Sequence, residues 1–179
     1  MTELLGYVAS ITDADLRHFT NESLGKAPEL FWTLPASSSG KHHPEQSNGE
    51  GGLVRHILAC LYFLKEFTAM YDLTQPEVDI ITSALILHDI GKAIAEPHDC
   101  TAVRFLVWQL PPNPSDMLKD TISCVRWHMG RWSTGSTDCL SYERGNKIFP
   151  DHFSKLEAIT HLCDYAASRK RVNLTKLGV

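Results

Sequence analysis

Apolar residues recur at helical spacing along most of the chain. Over residues 53 to about 73, Leu53, Ile57, Cys60, Leu61, Leu64 and Phe67 share one face, which predicts a helix. His56 lies three residues after Leu53 and four before Cys60, on or beside that face. A second helix is predicted from Gln75 or Pro76, since proline suits a first turn. It runs through Ile80, Ile81, Ala84, Leu85, Ile86 and Leu87 and ends at His88-Asp89. The separation of 32 residues between His56 and His88 fits a helical hairpin, which returns the end of the second helix beside the start of the first.

Upstream, Thr12 or Asp13 caps a helix carrying Leu16, Phe19 and Leu24, with Asp13 and Asp15 in its first turn. Downstream, Val103, Leu106, Val107 and Leu110 mark a helix over 101–110, ended by a proline-rich stretch at 111–114. Ser115 caps another, through Met117, Leu118, Ile122 and Val125 to His128, and Gly130 stops it. A last helix is expected from about Phe149 or Asp151 to Arg171, with Phe153, Leu156, Thr160 and Asp164 in one stripe. No segment alternates strictly between apolar and polar residues, and no repeat is present. The expectation is an all-α, compact helical bundle of about six helices, one domain over 1–179, with long loops only at 35–52 and 133–150.

Composition changes this picture little. Apolar residues make up 43% of the 179 and charged residues 21%, as in an ordinary globule. The net charge of −4 argues against a basic nucleic-acid face, but not against a small basic pocket. The N-terminus has no basic region and no long apolar run, and no stretch is long enough to span a membrane, so a cytoplasmic protein is expected. Cys60, Cys124 and Cys163 fall among apolar residues and read as small core residues of a reducing compartment.

Charge placement changes it more. A polar pair closing a buried helix costs free energy unless something pairs with it. His88-Asp89 either reaches water at a helix end or meets a divalent metal. Asp164 is a carboxylate on a largely apolar face and needs a partner too, a capping contact, a cation or a metal. His56, His88, Asp89 and Asp164 together form a set of imidazoles and carboxylates from three helices. Such a set suits Mn, Fe, Co, Ni or Zn better than the oxygen-seeking Ca or Mg.

The order His56, His88-Asp89, Asp164 resembles the H…HD…D signature of the HD-domain metal-dependent phosphohydrolases. Gly51-Gly52-Leu53-Val54-Arg55-His56 resembles the start of that family's first ligand helix. The stretch Ala84-Leu85-Ile86-Leu87-His88-Asp89-Ile90-Gly91-Lys92 is similar to its HD segment, and His161-Leu162-Cys163-Asp164-Tyr165-Ala166-Ala167-Ser168-Arg169 to its final helix. The resemblance covers about residues 30–170. It implies a metal at the centre of the bundle, held by His56, His88, Asp89 and Asp164, and hydrolysis of a phosphoester or phosphoanhydride. Asp89 or Asp164 would then also orient or deprotonate the attacking water. A second metal, or Mg, is compatible with it: binuclear members use additional histidines, for which His128 is the candidate. His128 could equally hydrogen-bond a phosphate or cap its helix. His98 and Glu96 are candidate acids for the leaving oxygen, each with an ordinary surface role as the alternative.

For phosphates the candidates are Lys41, His43, Lys92, Arg131 and Arg169. Lys41, with His42 and His43, follows a Ser-Ser-Gly run whose backbone N–H groups can form an anion nest. Trp32 and Leu34 offer a surface for a base, or are core residues. A Trp ahead of the first ligand and the 32-residue spacing resemble the phage-encoded dATP triphosphohydrolases, which implies a nucleotide substrate, dATP first, and the host cytoplasm. A 5′-nucleotidase acting on deoxynucleoside monophosphates is the alternative enzyme, and a nucleotide sensor without turnover is the alternative class. The expected partner is a small-molecule nucleotide, with no membrane and no extended nucleic acid; a homo-oligomer is compatible.

Overall fold

A computed structural model describes residues 2–37, 43–130 and 153–170. Among them the secondary structure is helical throughout: seven α-helices joined by turns and short 3₁₀ segments. They are α1 (Thr2–Ser10), α2 (Ala14–Gly25), α3 (Gly52–Met70), α4 (Gln75–Leu87), α5 (His98–Val107), α6 (Asp116–Trp127) and α7 (Lys155–Ala167). The all-α bundle is as expected, with one helix more than the pattern predicted.

That helix is α1. Leu4, Val8 and the following Ile11 are buried at intervals of four and three, so the signal was present but brief. The ends of several others also differ. Helix α5 begins at His98, three residues before the predicted start, with Pro97 at the N-cap position and the Glu96 carboxylate accepting from His98 N. Helix α7 begins after Ser154, whose hydroxyl accepts from Glu157 N while the Glu157 carboxylate accepts from Ser154 N. It closes at Ala167, short of Arg171, as the chain turns at Ser168. Helix α4 ends at Leu87, which leaves His88 as its C-cap and Asp89 in the turn beyond.

Helix α4 is the axis of the bundle. Every residue from Asp79 to Leu87 is buried, and the helix is contacted by α1, α2, α3, α6 and α7. Two of its polar residues, Asp79 and Ser83, bond to neighbouring elements. Asp79 Oδ2 accepts from Thr12 N (2.9 Å), Thr12 Oγ1 (2.6 Å) and Asp13 N (2.9 Å), while Gln75 Nε2 donates to Oδ1 (2.7 Å). This carboxylate therefore ties the α1–α2 turn to α4. Asp13 caps α2 as expected, accepting from Leu16 N. Ser83 shares a hydrogen bond of 2.7 Å with Thr20 across the α2–α4 interface. Helix α3 packs on both α4 and α7, and α6 on α4, α5 and α7, so four helix ends meet near the C-terminus of α4.

Cys60, Cys124 and Cys163 are free and buried, as small core residues should be. Cys100, also buried, is disulfide-bonded, which the expectation of a reducing compartment did not include. No helix among the described residues is long and apolar enough to cross a membrane.

Candidate metal centre

The first ligand position depends on how the chain enters α3. Gly51, in the left-handed region at φ 69°, precedes the helix, and a Cβ on Gly52 would lie 2.1 Å from Ser47 O. Gly51 N donates to Thr33 O and Leu53 N to Leu34 O. The Arg55 guanidinium donates to Gln46 O (2.5 Å) and Asn48 O (2.9 Å). The described part of the long loop is thus pinned against α3, not free, and a 3₁₀ turn at Glu45–Ser47 sits within it. This anchoring brings His43 against His56, with ring centroids 5.0 Å apart.

One turn into α3, His56 is fully buried, and its Nε2 lies 3.0 Å from Asp164 Oδ1 and 3.8 Å from Asp89 Oδ2. His88 Nε2 is 3.3 Å from Asp89 Oδ2 and 3.9 Å from Asp164 Oδ1. All four residues expected to hold a metal therefore meet at one point. His128 joins them from the end of α6, its Nε2 3.7 Å from Asp89 Oδ1. His98 joins from the start of α5, 3.4 Å from the same oxygen. A Cys60 Sγ lies 3.6 Å from His56 Nε2.

The ring orientations indicate what this cluster can hold. Nδ1 of His88 lies 2.7 Å from Leu85 O, and Nδ1 of His128 lies 2.7 Å from Val125 O. A carbonyl only accepts, so in each case Nδ1 carries the proton and, in a neutral ring, Nε2 carries the lone pair. Both Nε2 atoms are buried without a hydrogen bond. Leaving such a group unpaired costs about 1–3 kcal/mol. A divalent cation fits these atoms: backbone carbonyls fixing the remote ring nitrogen are the usual support of metal-ligating histidines.

The charges agree. Burial works against the Asp164 carboxylate, yet the His56 hydrogen bond and the nearby His56, His88 and His128 hold it well below the ordinary range. Burial likewise opposes Asp89, but His88 and Lys92 keep it ionised far below its usual value. For His88 burial disfavours the charge, and Asp89 overcomes it, so the group titrates above its ordinary value. His128 is pushed down to about 3, by burial and then by His88, and is neutral. A neutral ring protonated at Nδ1 makes His128 an acceptor or metal ligand through Nε2, not a donor to phosphate. His43 is lowered to about 4, by burial, then His56 and Lys92.

The cluster opens onto a cavity of about 590 Å³. Leu34, His43, Asp89, Lys92, Glu96, His98, Asp164 and Arg169 of the expected residues line it. Lys92 Nζ donates to Asp89 Oδ2 (2.7 Å) and to Ala36 O (3.0 Å), so it is part of the site and not a surface charge. Glu96 is largely exposed and accepts from His98 N (2.9 Å), which links it through His98 to Asp89. Arg169 sits at the mouth, its guanidinium 4.0 Å from the centroid of the Tyr165 ring. Trp32 is not brought to this cavity. It packs edge-on against Phe31 and lines a separate hollow with Leu5, Leu24 and Lys26, because the 3₁₀ turn at Glu29–Trp32 directs Phe31 into the core and Trp32 away. Lys41 and Arg131 lie outside the described residues.

Two site residues were not singled out from sequence. Cys60 stands four residues after His56, and His161 stands three before Asp164, so helical spacing from a ligand was the available signal. His161 Nδ1 lies 2.7 Å from His128 O, and a Cβ on Gly130, at φ 56°, would come within 2.6 Å of its ring. The left-handed glycine thus lets α6 end directly against α7.

No family model matches the chain. It is similar to the 3′-5′ exoribonuclease YhaM of Listeria monocytogenes serotype 4b, with 31% identity over 94 residues, 51% of this chain and 27% of the relative. The corresponding protein of Listeria welshimeri is 29% identical over 92 residues, with the same shares. The chain spans about a quarter of the length of these curated relatives. No solved structure matches. The likeness supports the HD superfamily and gives no support to a dATP triphosphohydrolase or a phage origin.

Proposed function

We propose that this chain is a metal-dependent phosphohydrolase that acts on one nucleotide unit, with deoxynucleoside triphosphates, dATP first, as the substrates to be tried. One observation carries the reading. The unpaired Nε2 atoms of His88 and His128 lie 3.3 and 3.7 Å from the Asp89 carboxylate, and Asp89 and Asp164 line a cavity walled by Lys92 and Arg169. A cavity of about 590 Å³ suits a single nucleotide.

His56, His88, Asp89 and Asp164 would hold a divalent transition metal, with His128 beside them. A cation there supplies Lewis acidity to a phosphoryl oxygen. The chain's own groups do the rest. Lys92 places positive charge beside the phosphate, and Arg169 adds a second at the mouth. Asp164, kept ionised, accepts a hydrogen bond from the attacking water and orients it. His98, held between Glu96 and Asp89, is placed to pass a proton to the leaving oxygen.

The YhaM likeness favours a second reading, in which the nucleotide unit is the 3′ end of an RNA. Incubation with Co²⁺ or Mn²⁺ and a panel of dNTPs, NTPs, dNMPs and a short RNA separates the two. Nucleoside with tripolyphosphate supports the first, and nucleoside monophosphates released from RNA support the second. Orthophosphate from dNMPs alone supports a nucleotidase. Binding without turnover makes the protein a sensor. Turnover undiminished in Asp89→Ala would sink the metal-centre assignment.

A further inference from the structure

Cys60 belongs to no part of the mechanism above, yet it lies inside the candidate centre. It is fully buried, and His56 and Cys60 are four residues apart on α3, one turn on the same face. Two ligands at this spacing on one helix chelate a metal, as the two histidines of H-E-x-x-H do. Donor atoms of His56, Cys60, His88 and Asp164 all lie within 4.8 Å of one another. Each is already positioned: His56 against Asp164 at 3.0 Å, Cys60 Sγ against His56 Nε2 at 3.6 Å, and His88 by its bond to Leu85 O. The Nε2 of His88, fully buried and without a hydrogen bond, lies among them.

We propose that Cys60 Sγ is a metal ligand, so that a thiolate joins the imidazoles of His56 and His88 and the carboxylates of Asp89 and Asp164 around the cation. The inference rests on the metal-centre reading and extends its donor set. On binding, the S–H bond breaks, an S–metal bond forms, and the proton leaves to solvent. A thiolate is a soft donor, and its presence selects Zn²⁺, Co²⁺ or Fe²⁺ over Mn²⁺ and Mg²⁺. Cys60 would therefore decide which metal the site takes up, a choice that the four hard or borderline donors leave open.

X-ray absorption at the zinc edge, on the full chain loaded with one Zn²⁺, tests this without measuring activity. The expected result is one sulfur neighbour at about 2.3 Å with nitrogen and oxygen neighbours at about 2.0–2.1 Å. The sulfur neighbour should vanish in Cys60→Ser and persist in Cys124→Ser. Zn²⁺ affinity should fall in Cys60→Ser by about 10- to 100-fold or more, since even outer-shell partners cost that much, while Mn²⁺ affinity stays unchanged. Cys60→Ala serves if the serine variant does not fold. Zinc bound through nitrogen and oxygen alone overturns the proposal while leaving the metal centre standing. A sulfur neighbour that survives loss of Cys60 overturns it also. Failure to bind any of these metals overturns both the proposal and the centre on which it rests.

Discussion

Gly91 follows the His88-Asp89 pair by two residues, and replacing it by alanine is a direct test of how the centre is built. A Cβ at Gly91 would lie 2.0 Å from His98 O, 2.8 Å from His98 C and 2.8 Å from Ala102 N. All three are backbone atoms of α5, so no side-chain rotation relieves the overlap. Either the 3₁₀ turn at Ile90–Ala93 or the first turn of α5 must move. Overpacking a core costs about 1–3 kcal/mol and occasionally more. Contact with rigid backbone puts Gly91→Ala at the upper end, about 3 kcal/mol. A chain of this size loses about 2–4 °C of melting temperature per kcal/mol, so a fall of about 6–12 °C is expected. His98 would be displaced with its backbone, and its Nε2 lies 3.4 Å from Asp89, so cation affinity should fall as well. Gly6 gives the opposite expectation. It is exposed within α1 with nothing inside 4 Å of an added Cβ. Gly6→Ala should stabilise by about 0.5–1 kcal/mol through helix propensity. Urea denaturation followed by circular dichroism, with calorimetry, measures both. A Gly91→Ala protein that melts with the wild type would refute the packing argument.

Other outcomes follow from the same contacts. Asp79→Ala strips acceptors from Thr12 N, Thr12 Oγ1, Asp13 N and Gln75 Nε2, and should cost about 3 kcal/mol, since bonds to a charged group are worth about 1.5–3 kcal/mol each and water replaces some; a urea midpoint within error of wild type would contradict this. The buried Arg126–Asp99 pair, 2.9 Å apart, predicts a loss of about 3–5 kcal/mol for Arg126→Met, and partial recovery in Arg126→Met with Asp99→Leu. A double variant no more stable than the single one would show that the buried charge is not the cause. In the metal-free protein, Asp89 and Asp164 titrate below their ordinary value of 3.8. Their contribution to stability is present above that value and lost as pH falls through the lower folded values. His88 is raised above 6.5, so its contribution is present below 6.5 and lost as pH rises through the folded value. A cation competes with that His88 proton, so Zn²⁺ affinity measured from about pH 5 to 8 should rise with pH; a flat profile would exclude His88 as a ligand.

What the sequence determined by itself is local. The period of the apolar residues identified α2 to α7, because a helix buries one face and the spacing records which. Asp13 and Ser115 were legible as caps, and each accepts from the backbone N–H three residues on. His56, His88, Asp89 and Asp164 were legible because each is a polar residue where the pattern demands an apolar one. That anomaly persists in sequence whatever the packing. The length of α1 made it too brief to register, and the starts of α5 and α7 are set by the Glu96 carboxylate at His98 N and by the Ser154 cap. Tertiary structure alone decided the rest. Trp32 and Leu34 are two residues apart, and only the 3₁₀ turn sends one to the cavity and the other to a separate hollow. Lys92 was ambiguous until its Nζ met Asp89 and the Ala36 carbonyl. His98 and His128 were candidates with ordinary helix-end or surface roles as alternatives, and Cys60 stood only at helical spacing from His56. They join the centre because the start of α5, the end of α6 and the first turns of α3 converge at the C-terminus of α4. Periodicity states which side of a helix faces inward. It does not state which atoms of different helices will share a point, and the chemistry resides in that shared point.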